Sequence, residues 1–266
     1  MRVLIAAGGT AGHINPALAI AGALKQADPT AEIHFAGRRE GMEYGLVTRA
    51  GYPFHHIEIN GFQRRLTPEN IRRNLVAIYH LALSGPRTKA ILREVRPDLV
   101  IGCGGYVSGP VVRAAARQGI KTAIHEQNAF PGVTNKLLAK TADIVFLAFP
   151  EAKSRMPAGI RCETVGNPVR QSFLSATREN ARKKLGLDGA FTIFSVGGSL
   201  GANKINEMAA DLMAWHSKEG KINHIRGFGK HGRENFPKLL ADRGVSLENC
   251  PRIRAREYID NMDLCM

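Results

Sequence analysis

The first part of the chain alternates short apolar runs with stretches whose apolar positions recur at helical spacing. The runs at 3–7, 32–36, 98–102, 121–125 and 143–147 have the length of buried strands, and helices are predicted at 16–25, 110–118 and 132–140. Strands that alternate with helices are typical of βαβ units. The pattern therefore predicts an α/β fold with a parallel sheet, in which ligands bind at the carboxyl ends of the strands.

A second alternating series follows Gly166-Asn167-Pro168. It predicts strands at 191–196, 222–227 and 252–255 and helices at 202–216 and 235–242, after a charged segment at 177–189. We place the boundary between two domains near Val165, which gives predicted domains at 1–164 and 165–266. Because doubly wound domains usually carry about five or six strands, the second domain is expected to be unusually small or incomplete in this chain.

Charge narrows the range of partners. The net charge of +14 favours anionic partners such as nucleic acid, phosphorylated ligands or an anionic membrane surface. The four cysteines form no CxxC pair, which argues against a metal or redox motif and favours a reducing compartment. No apolar run approaches the roughly 18 residues of a membrane span, so any membrane contact is expected to be peripheral.

Basic residues are concentrated between Gly61 and Val100, where the sequence has eight basic and three acidic residues. Within this region Thr67-Pro68 has the form of a helix start, with threonine as the cap and proline in the first turn. Two interpretations stay open for the helix that follows. Its apolar positions pack on the sheet, or part of them faces outward as Leu75, Tyr79 and Leu83, which would seat the protein on an anionic membrane.

The first glycine turn, GGTAGH at 8–13, lies between a predicted strand and a predicted helix. Glycines allow an anion to approach the backbone, and a helix N-terminus offers unpaired N–H groups, so this turn predicts a phosphate site. The turn fits neither GxGxxG nor a P-loop. His13 stands at its mouth, where the helix dipole favours the neutral imidazole that a general base requires. A tight turn without ligand and a packing histidine are the alternatives.

Two further glycine turns follow predicted strands, GCGGYVSGP at 102–110 and GGSLGA at 197–202. The first and second turns belong to one predicted sheet, which suggests a shared site for a diphosphate that includes Gly104, Gly105 and Tyr106. The third turn adds the hydroxyl of Ser199. The polar cluster HEQN at 125–128 also follows a strand. The pattern argues against a metal site there because adjacent strand residues His125 and Glu126 point to opposite faces.

Five motifs in this order resemble the MurG family of glycosyltransferases: GGTAGHINPALA at 8–19, GCGGYVSGP at 102–110, HEQN at 125–128 followed by TNKLLAK, VGNPVR at 165–170 and GGSLGA at 197–202. The resemblance covers essentially the whole chain. It implies the B-type glycosyltransferase fold, in which two Rossmann-like domains face a cleft. It also implies an inverting transfer of N-acetylglucosamine from UDP-N-acetylglucosamine to the 4-hydroxyl of lipid I, which gives lipid II for peptidoglycan.

The resemblance also implies residue roles and partners. His13 and Glu126 match candidates for the catalytic base. Residues expected to bind the donor are Thr10, Ala11, Gly12, Asn128, Arg170, Ser199 and Ile259. Ala11 departs from the glycine of many members, which is expected to tighten the loop. The family implies no cofactor, no metal and no nucleic-acid partner, and a position on the cytoplasmic face of the cell membrane.

Two other functions remain compatible with the motifs. One is a transferase of the same fold that acts on another lipid or natural-product acceptor. The other is a non-catalytic module that binds a nucleoside diphosphate, which would need neither His13 nor Asn128.

Overall fold

The computed structural model describes residues 1–59, 61 and 67–266, which form two compact units, Met1–Gln171 and Ser172–Met266. The sequence placed the boundary near Val165, whereas the division follows Gln171. Arg170 therefore belongs to the first unit. Both units contain a parallel sheet, as the alternation of strands and helices predicts.

In its described part, the first unit has a seven-stranded sheet. Its strands are β1 (Arg2–Ala6), β2 (Glu32–Gly37), β3 (Phe54–His56), β4 (Leu99–Gly102), β5 (Lys121–Glu126), β6 (Ile144–Leu147) and β7 (Cys162–Thr164). They are all parallel, in the order β3-β2-β1-β4-β5-β6-β7. The order reverses between β1 and β4, which is the point where ligands bind in open α/β sheets.

Helices cover both faces of this sheet. They are α1 (Ala11–Ala27), α2 (Met42–Arg49), α3 (Pro68–Val95), α4 (Ser108–Arg117) and α5 (Val133–Ala139), with a 3₁₀ helix at Pro150–Arg155. One core contains residues of α1 and α2, and the other contains residues of α3, α4 and α5. Residues 3–6 of β1 are all apolar because both faces of the strand are covered. Leu4 joins the core with α3, α4 and α5, and Val3 and Ile5 join the core with α1 and α2.

The second unit has a three-stranded parallel sheet in its described residues, in the order β10-β9-β8. Its strands are β8 (Thr192–Val196), β9 (Asn223–Gly227) and β10 (Ile253–Arg256). α6 (Gln171–Ser175) begins at the last residue of the first unit. The second unit further contains α7 (Arg178–Leu185), α8 (Asn203–Glu219), α9 (Asn235–Ala241) and α10 (Met262–Cys265), with a 3₁₀ helix at Lys230–Gly232. A small core joins Met213 of α8 to Phe236 and Leu240 of α9.

Several helices differ from the sequence expectation, which did not include α2 (Met42–Arg49) or α6 (Gln171–Ser175). α1 begins at Ala11 and not at residue 16, so it contains Pro16. The proline lacks only the N–H that would reach the carbonyl of Gly12, and Gly12 lies exposed at the surface. The charged segment at 177–189 contains α7, whose first turn is capped by Thr177, which accepts a hydrogen bond from the N–H of Asn180.

The helix predicted after Thr67 is confirmed. The N–H of Asn70 donates to Thr67 Oγ1 over 3.2 Å, and α3 then runs to Val95. Leu75, Tyr79 and Leu83 are 62%, 61% and 51% exposed, so the outward-facing interpretation of this stripe is the one that the structure supports. Two of the basic residues in this region, Arg64 and Arg65, lie outside the described residues.

Candidate functional site

The first glycine turn connects β1 to α1 at the reversal point of the sheet. Gly9 has φ +88°, in the left-handed region that favours glycine, and Thr10 is the extended residue that precedes the helix. The buried carboxylate of Glu43 accepts from the N–H of Gly9 over 3.2 Å and from the N–H of Arg38 over 3.0 Å. The turn is thereby fixed to the loop that follows β2, and α1 presents its first N–H groups beside it.

His13 lies in the first turn of α1, and its ring orientation is defined. Nδ1 lies 3.0 Å from the carbonyl oxygen of Gly8, and because a carbonyl only accepts, Nδ1 carries the proton. In the neutral ring Nε2 is then the unprotonated nitrogen. A Cβ added to Gly104 would lie 3.0 Å from this Nε2, so the imidazole packs directly against the second glycine turn. The geometry gives a half-buried imidazole held in one tautomer.

The second glycine turn contacts the first. Gly105 has φ +79°, and a Cβ there would lie 2.3 Å from the carbonyl oxygen of Gly8, which only glycine permits. The buried hydroxyl of Ser108 lies 2.8 Å from the carbonyl of Ala6 and accepts from the N–H of Gly104, which joins the ends of β1 and β4. The two turns therefore form one continuous glycine surface, as their place in one sheet predicts.

The cluster after β5 is joined to the same edge. The side-chain N–H₂ of Gln127 lies 2.8 Å from the carbonyl oxygen of Cys103 and 3.0 Å from Nδ1 of His125. Nε2–H of His125 donates to the carbonyl of Gly166 over 3.1 Å. Both nitrogens of the neutral ring therefore have a hydrogen-bond partner. Burial is the main reason that the pKa of His125 is lowered. His125 and Gln127 therefore hold the strand ends together.

Glu126 is 1% exposed, and its carboxylate accepts four hydrogen bonds. Oε1 accepts from the backbone N–H and the side-chain N–H₂ of Asn128, both over 2.9 Å. Oε2 accepts from the N–H of Gly132 over 2.9 Å and from Nδ2 of Asn135 over 2.8 Å. A carboxylate has about four lone-pair sites, and all are used. This geometry assigns Glu126 to holding the loop that presents the exposed Asn128.

The third glycine turn belongs to the second unit. Gly201 has φ +80°, and a Cβ there would lie 2.2 Å from the carbonyl oxygen of Phe228, so this turn packs on the turn after β9. The carbonyl of Ser199 accepts from the N–H of Lys230 over 3.1 Å. Ile259 is buried, and a Cβ added to Gly227 would lie 3.0 Å from its side chain.

The predicted site residues therefore fall into separate groups. Thr10, Ala11, Gly12 and His13 lie with Gly104, Gly105 and Tyr106 and with Glu126 and Asn128 at the carboxyl edge of the first sheet. Tyr106 is partly exposed and lies against Gly61. Arg170 precedes α6 in the first unit. Ser199 and Ile259 belong to the second unit.

Sequence reasoning missed the residues that hold the turns in place. Glu43, Ser108 and Asn135 are buried polar side chains whose partners lie at the glycine turns or on Glu126. Ser108 and Asn135 stand inside motifs that were noticed for other residues. Glu43 belongs to no motif, and its only sequence signal is a carboxylate at the start of a short helix.

A family profile and curated relatives match this chain. The profile of the glycosyltransferase family 28 N-terminal domain matches residues 3–147. Two relatives are named UDP-N-acetylglucosamine--N-acetylmuramyl-(pentapeptide) pyrophosphoryl-undecaprenol N-acetylglucosamine transferase. The protein of Ruminiclostridium cellulolyticum is 44% identical over 264 residues, which cover 99% of this chain and 70% of the relative. The protein of Acetivibrio thermocellus is 44% identical over 98% of this chain and 69% of its own length.

Solved structures agree with the sequence comparison. The crystal structure of Acinetobacter baumannii MurG superposes with a TM-score of 0.59 at 28% identity and covers 98% of this chain and 69% of its own. A UDP-GlcNAc 2-epimerase from Neisseria meningitidis, bound to UDP-GlcNAc, has a TM-score of 0.59 over 100% of this chain and 74% of its own. At 13% identity it shows a shared fold alone. This chain has the glycine turns, the HEQN cluster and 44% identity to named members. It therefore belongs to the MurG family of N-acetylglucosamine transferases.

Proposed function

We propose that this chain acts in the transfer of N-acetylglucosamine from UDP-N-acetylglucosamine to the 4-hydroxyl of the N-acetylmuramyl group of lipid I, which gives lipid II. The observation that carries the proposal is the placement of His13. Its Nδ1–H is bonded to Gly8 and its Nε2 faces the surface where the first two glycine turns meet. A base in one tautomer beside a phosphate-type surface is what deprotonation of an acceptor hydroxyl requires.

The proposed step is a single displacement with inversion. Nε2 of His13 takes the proton of the acceptor 4-hydroxyl as its oxygen attacks C1 of the sugar. The C1–O bond to the donor diphosphate breaks, and UDP leaves with the bonding electron pair. Backbone N–H groups and helix N-termini stabilise the charge that develops on the leaving diphosphate. Glu126 supports the step indirectly, because its four hydrogen bonds fix the loop that carries Asn128.

For the donor, the proposal assigns the sugar to Thr10, Ala11, Gly12 and Asn128. Asn128 and Gly12 are exposed; Asn128 follows β5, and Thr10 and Gly12 follow β1, at the carboxyl edge of the same sheet. Arg170 and Ser199 are assigned to the diphosphate and Ile259 to the uracil, as the family resemblance implies. A guanidinium matches diphosphate geometry and stays charged, which suits Arg170 to this role.

For the acceptor, the proposal assigns the diphosphate of lipid I to Gly104, Gly105 and Tyr106. Both glycines have positive φ and pack without side chains against His13 and Gly8, which joins the two glycine turns that the proposal assigns to a diphosphate. The N–H of Gly104 donates to Ser108, so it fixes the turn and is not itself an anion donor.

The proposal also places the chain on an anionic membrane surface. The exposed stripe of Leu75, Tyr79 and Leu83 lies on α3, whose exposed side chains also include Arg72 and Lys89. Apolar side chains beside basic ones are the pattern of a helix that lies at a membrane interface. No helix in the described part of the chain is both long and apolar enough to cross a membrane. A lipid-linked acceptor makes such a docking surface useful, because its polyprenyl chain stays in the bilayer.

Side-by-side turnover assays test the proposed function. Purified protein is offered UDP-N-acetylglucosamine with lipid I, and in parallel with other lipid-linked and soluble acceptors. We expect transfer to lipid I above all others. Transfer to a different acceptor would identify another transferase of the same fold. Tight binding of UDP-N-acetylglucosamine by calorimetry without any turnover would identify a binding module.

A further inference from the structure

The second unit contains a buried arginine whose charge has no protein partner among the described residues. Arg226 lies on the central strand β9 and is 0% exposed. Its Nη2 donates to Oδ1 of Asn206, a neutral amide. Its Nε and Nη1 are buried and have no hydrogen-bond partner in the described structure. Its guanidinium carbon lies 6.0 Å from the ring centre of Phe236.

A cation in this state is costly. Burying an ion without a counter-charge is unfavourable because the ion loses its hydration, and natural proteins pair such groups. Burial lowers the pKa of Arg226, yet a guanidinium stays protonated in proteins. The charge therefore persists inside the unit and needs an anion nearby.

The location of Arg226 indicates where that anion binds. A Cβ added to Gly197, the first residue of the third glycine turn, would lie 3.5 Å from Nη2 of Arg226. Asn206, which holds the guanidinium, is the fourth residue of α8, so the charge lies beneath the positive end of that helix. The guanidinium of Arg226 and the positive N-terminus of α8 repel each other, and an anion bound at the turn would offset that repulsion.

We propose that Arg226 is the buried counter-charge for the diphosphate of the nucleotide that binds at the third glycine turn. This inference rests on the proposed function and adds a residue that the motifs do not contain. Because Arg226 is fully buried, it is a positioning residue that acts through its field and through Asn206 on the first turn of α8. It favours ligands by their phosphate charge and is indifferent to the uridine.

Calorimetry with UDP, uridine and inorganic pyrophosphate tests this role. Arg226→Met removes the charge and keeps the length of the side chain. Asn206→Asp leaves the arginine in place and supplies a carboxylate beside it, which neutralises the charge from within. We expect both variants to bind UDP and pyrophosphate about tenfold or more weakly, and to bind uridine as the parent does.

A matched control is Arg254→Met, which removes an arginine of β10 that donates to the carbonyls of Leu185 and Gly186. It should leave all three affinities unchanged. Equal losses for uridine and UDP in Arg226→Met, or UDP binding that stays at the parental level in both variants, would overturn the role of Arg226 alone. A parent protein that binds neither UDP nor pyrophosphate would overturn the donor assignment of the proposed function as well.

Discussion

At the scale of single residues, His13 is the group on which turnover should depend most. Replacement by alanine removes Nε2 from the surface where the glycine turns meet, and we expect the rate to fall by about 10²–10⁴-fold, the usual contribution of general acid–base catalysis. The measurement is turnover in a preparation that transfers N-acetylglucosamine. His13→Asn is the matched variant, because its amide keeps a donor for the Gly8 carbonyl without supplying a base.

His13→Asn should therefore keep the folding stability of the parent and lose the rate. Near-normal turnover in both variants would remove His13 from the mechanism.

Replacement of Glu126 should lower folding stability, in contrast to His13→Asn, which should keep it. Glu126→Gln places an N–H₂ group where the carboxylate accepts two of its four hydrogen bonds. Donors would then face donors in a buried site, and we expect a loss of about 2–4 kcal/mol in the free energy of unfolding. Thermal or urea unfolding measures it.

A variant that folds with parental stability yet loses turnover would instead support Glu126 as the catalytic base. Glu151→Gln is a suitable control because Glu151 is exposed.

At the scale of elements, the layer between α8 and β9 should make the second unit sensitive to acid. Burial, then the neighbouring His216 and Arg226, lowers the pKa of His224 to about 4. Unfolded histidine takes a proton below about pH 6.5, so between pH 6.5 and 4 the unfolded state binds more protons than the folded state. Stability is full above that window and falls as pH decreases through it, by up to about 3 kcal/mol.

Urea unfolding, monitored by the fluorescence of Trp215 at a series of pH values, measures this loss of stability. The chain has one tryptophan, and it lies on α8 with its ring 5.1 Å from that of His216. His224→Leu should flatten the dependence of stability on pH, with a remainder from His216, whose pKa burial also lowers. The exposed His231, changed to glutamine, should leave the dependence as it is. If the stability of His224→Leu depended on pH as steeply as that of the parent, the acid sensitivity would not come from His224.

At the scale of the whole molecule, the net charge of +14 and the stripe on α3 should act together at a membrane. We expect binding to anionic vesicles that weakens with salt, because each basic residue near the surface contributes roughly 1 kcal/mol and salt screens it. Arg72→Glu with Arg73→Glu, and separately Leu75→Ser, should each reduce the bound fraction in vesicle sedimentation.

Lys218→Glu with Lys221→Glu, and separately Leu247→Ser, make the same changes at exposed positions of the second unit and should have smaller effects. Absence of binding at low salt, or equal effects from both sets of variants, would show that α3 is not the docking surface.

Much of the fold follows from local pattern. Residues 3–6 of β1 are apolar because both faces of the sheet are covered, and that signal needs no knowledge of distant residues. Thr67 and Pro68 predict the start of α3 for the same reason, since a cap acts within one turn. The short strands β3 and β7 were missed because three residues carry too little periodicity.

The sequence by itself therefore determined the α/β class, the three glycine turns and the polar cluster after β5, because each depends on neighbours in the chain. Only the tertiary structure decided which partners these turns and polar side chains contact. Glu43 reaches Gly9 across 34 residues, and Ser108 reaches Ala6 across 102. The four donors on Glu126, the contact of Gly105 with Gly8 and the burial of Arg226 likewise depend on chain packing. Packing sets hydrogen-bond partners and burial, and those two quantities decide which polar side chains at the sheet edge are already fully bonded within the protein.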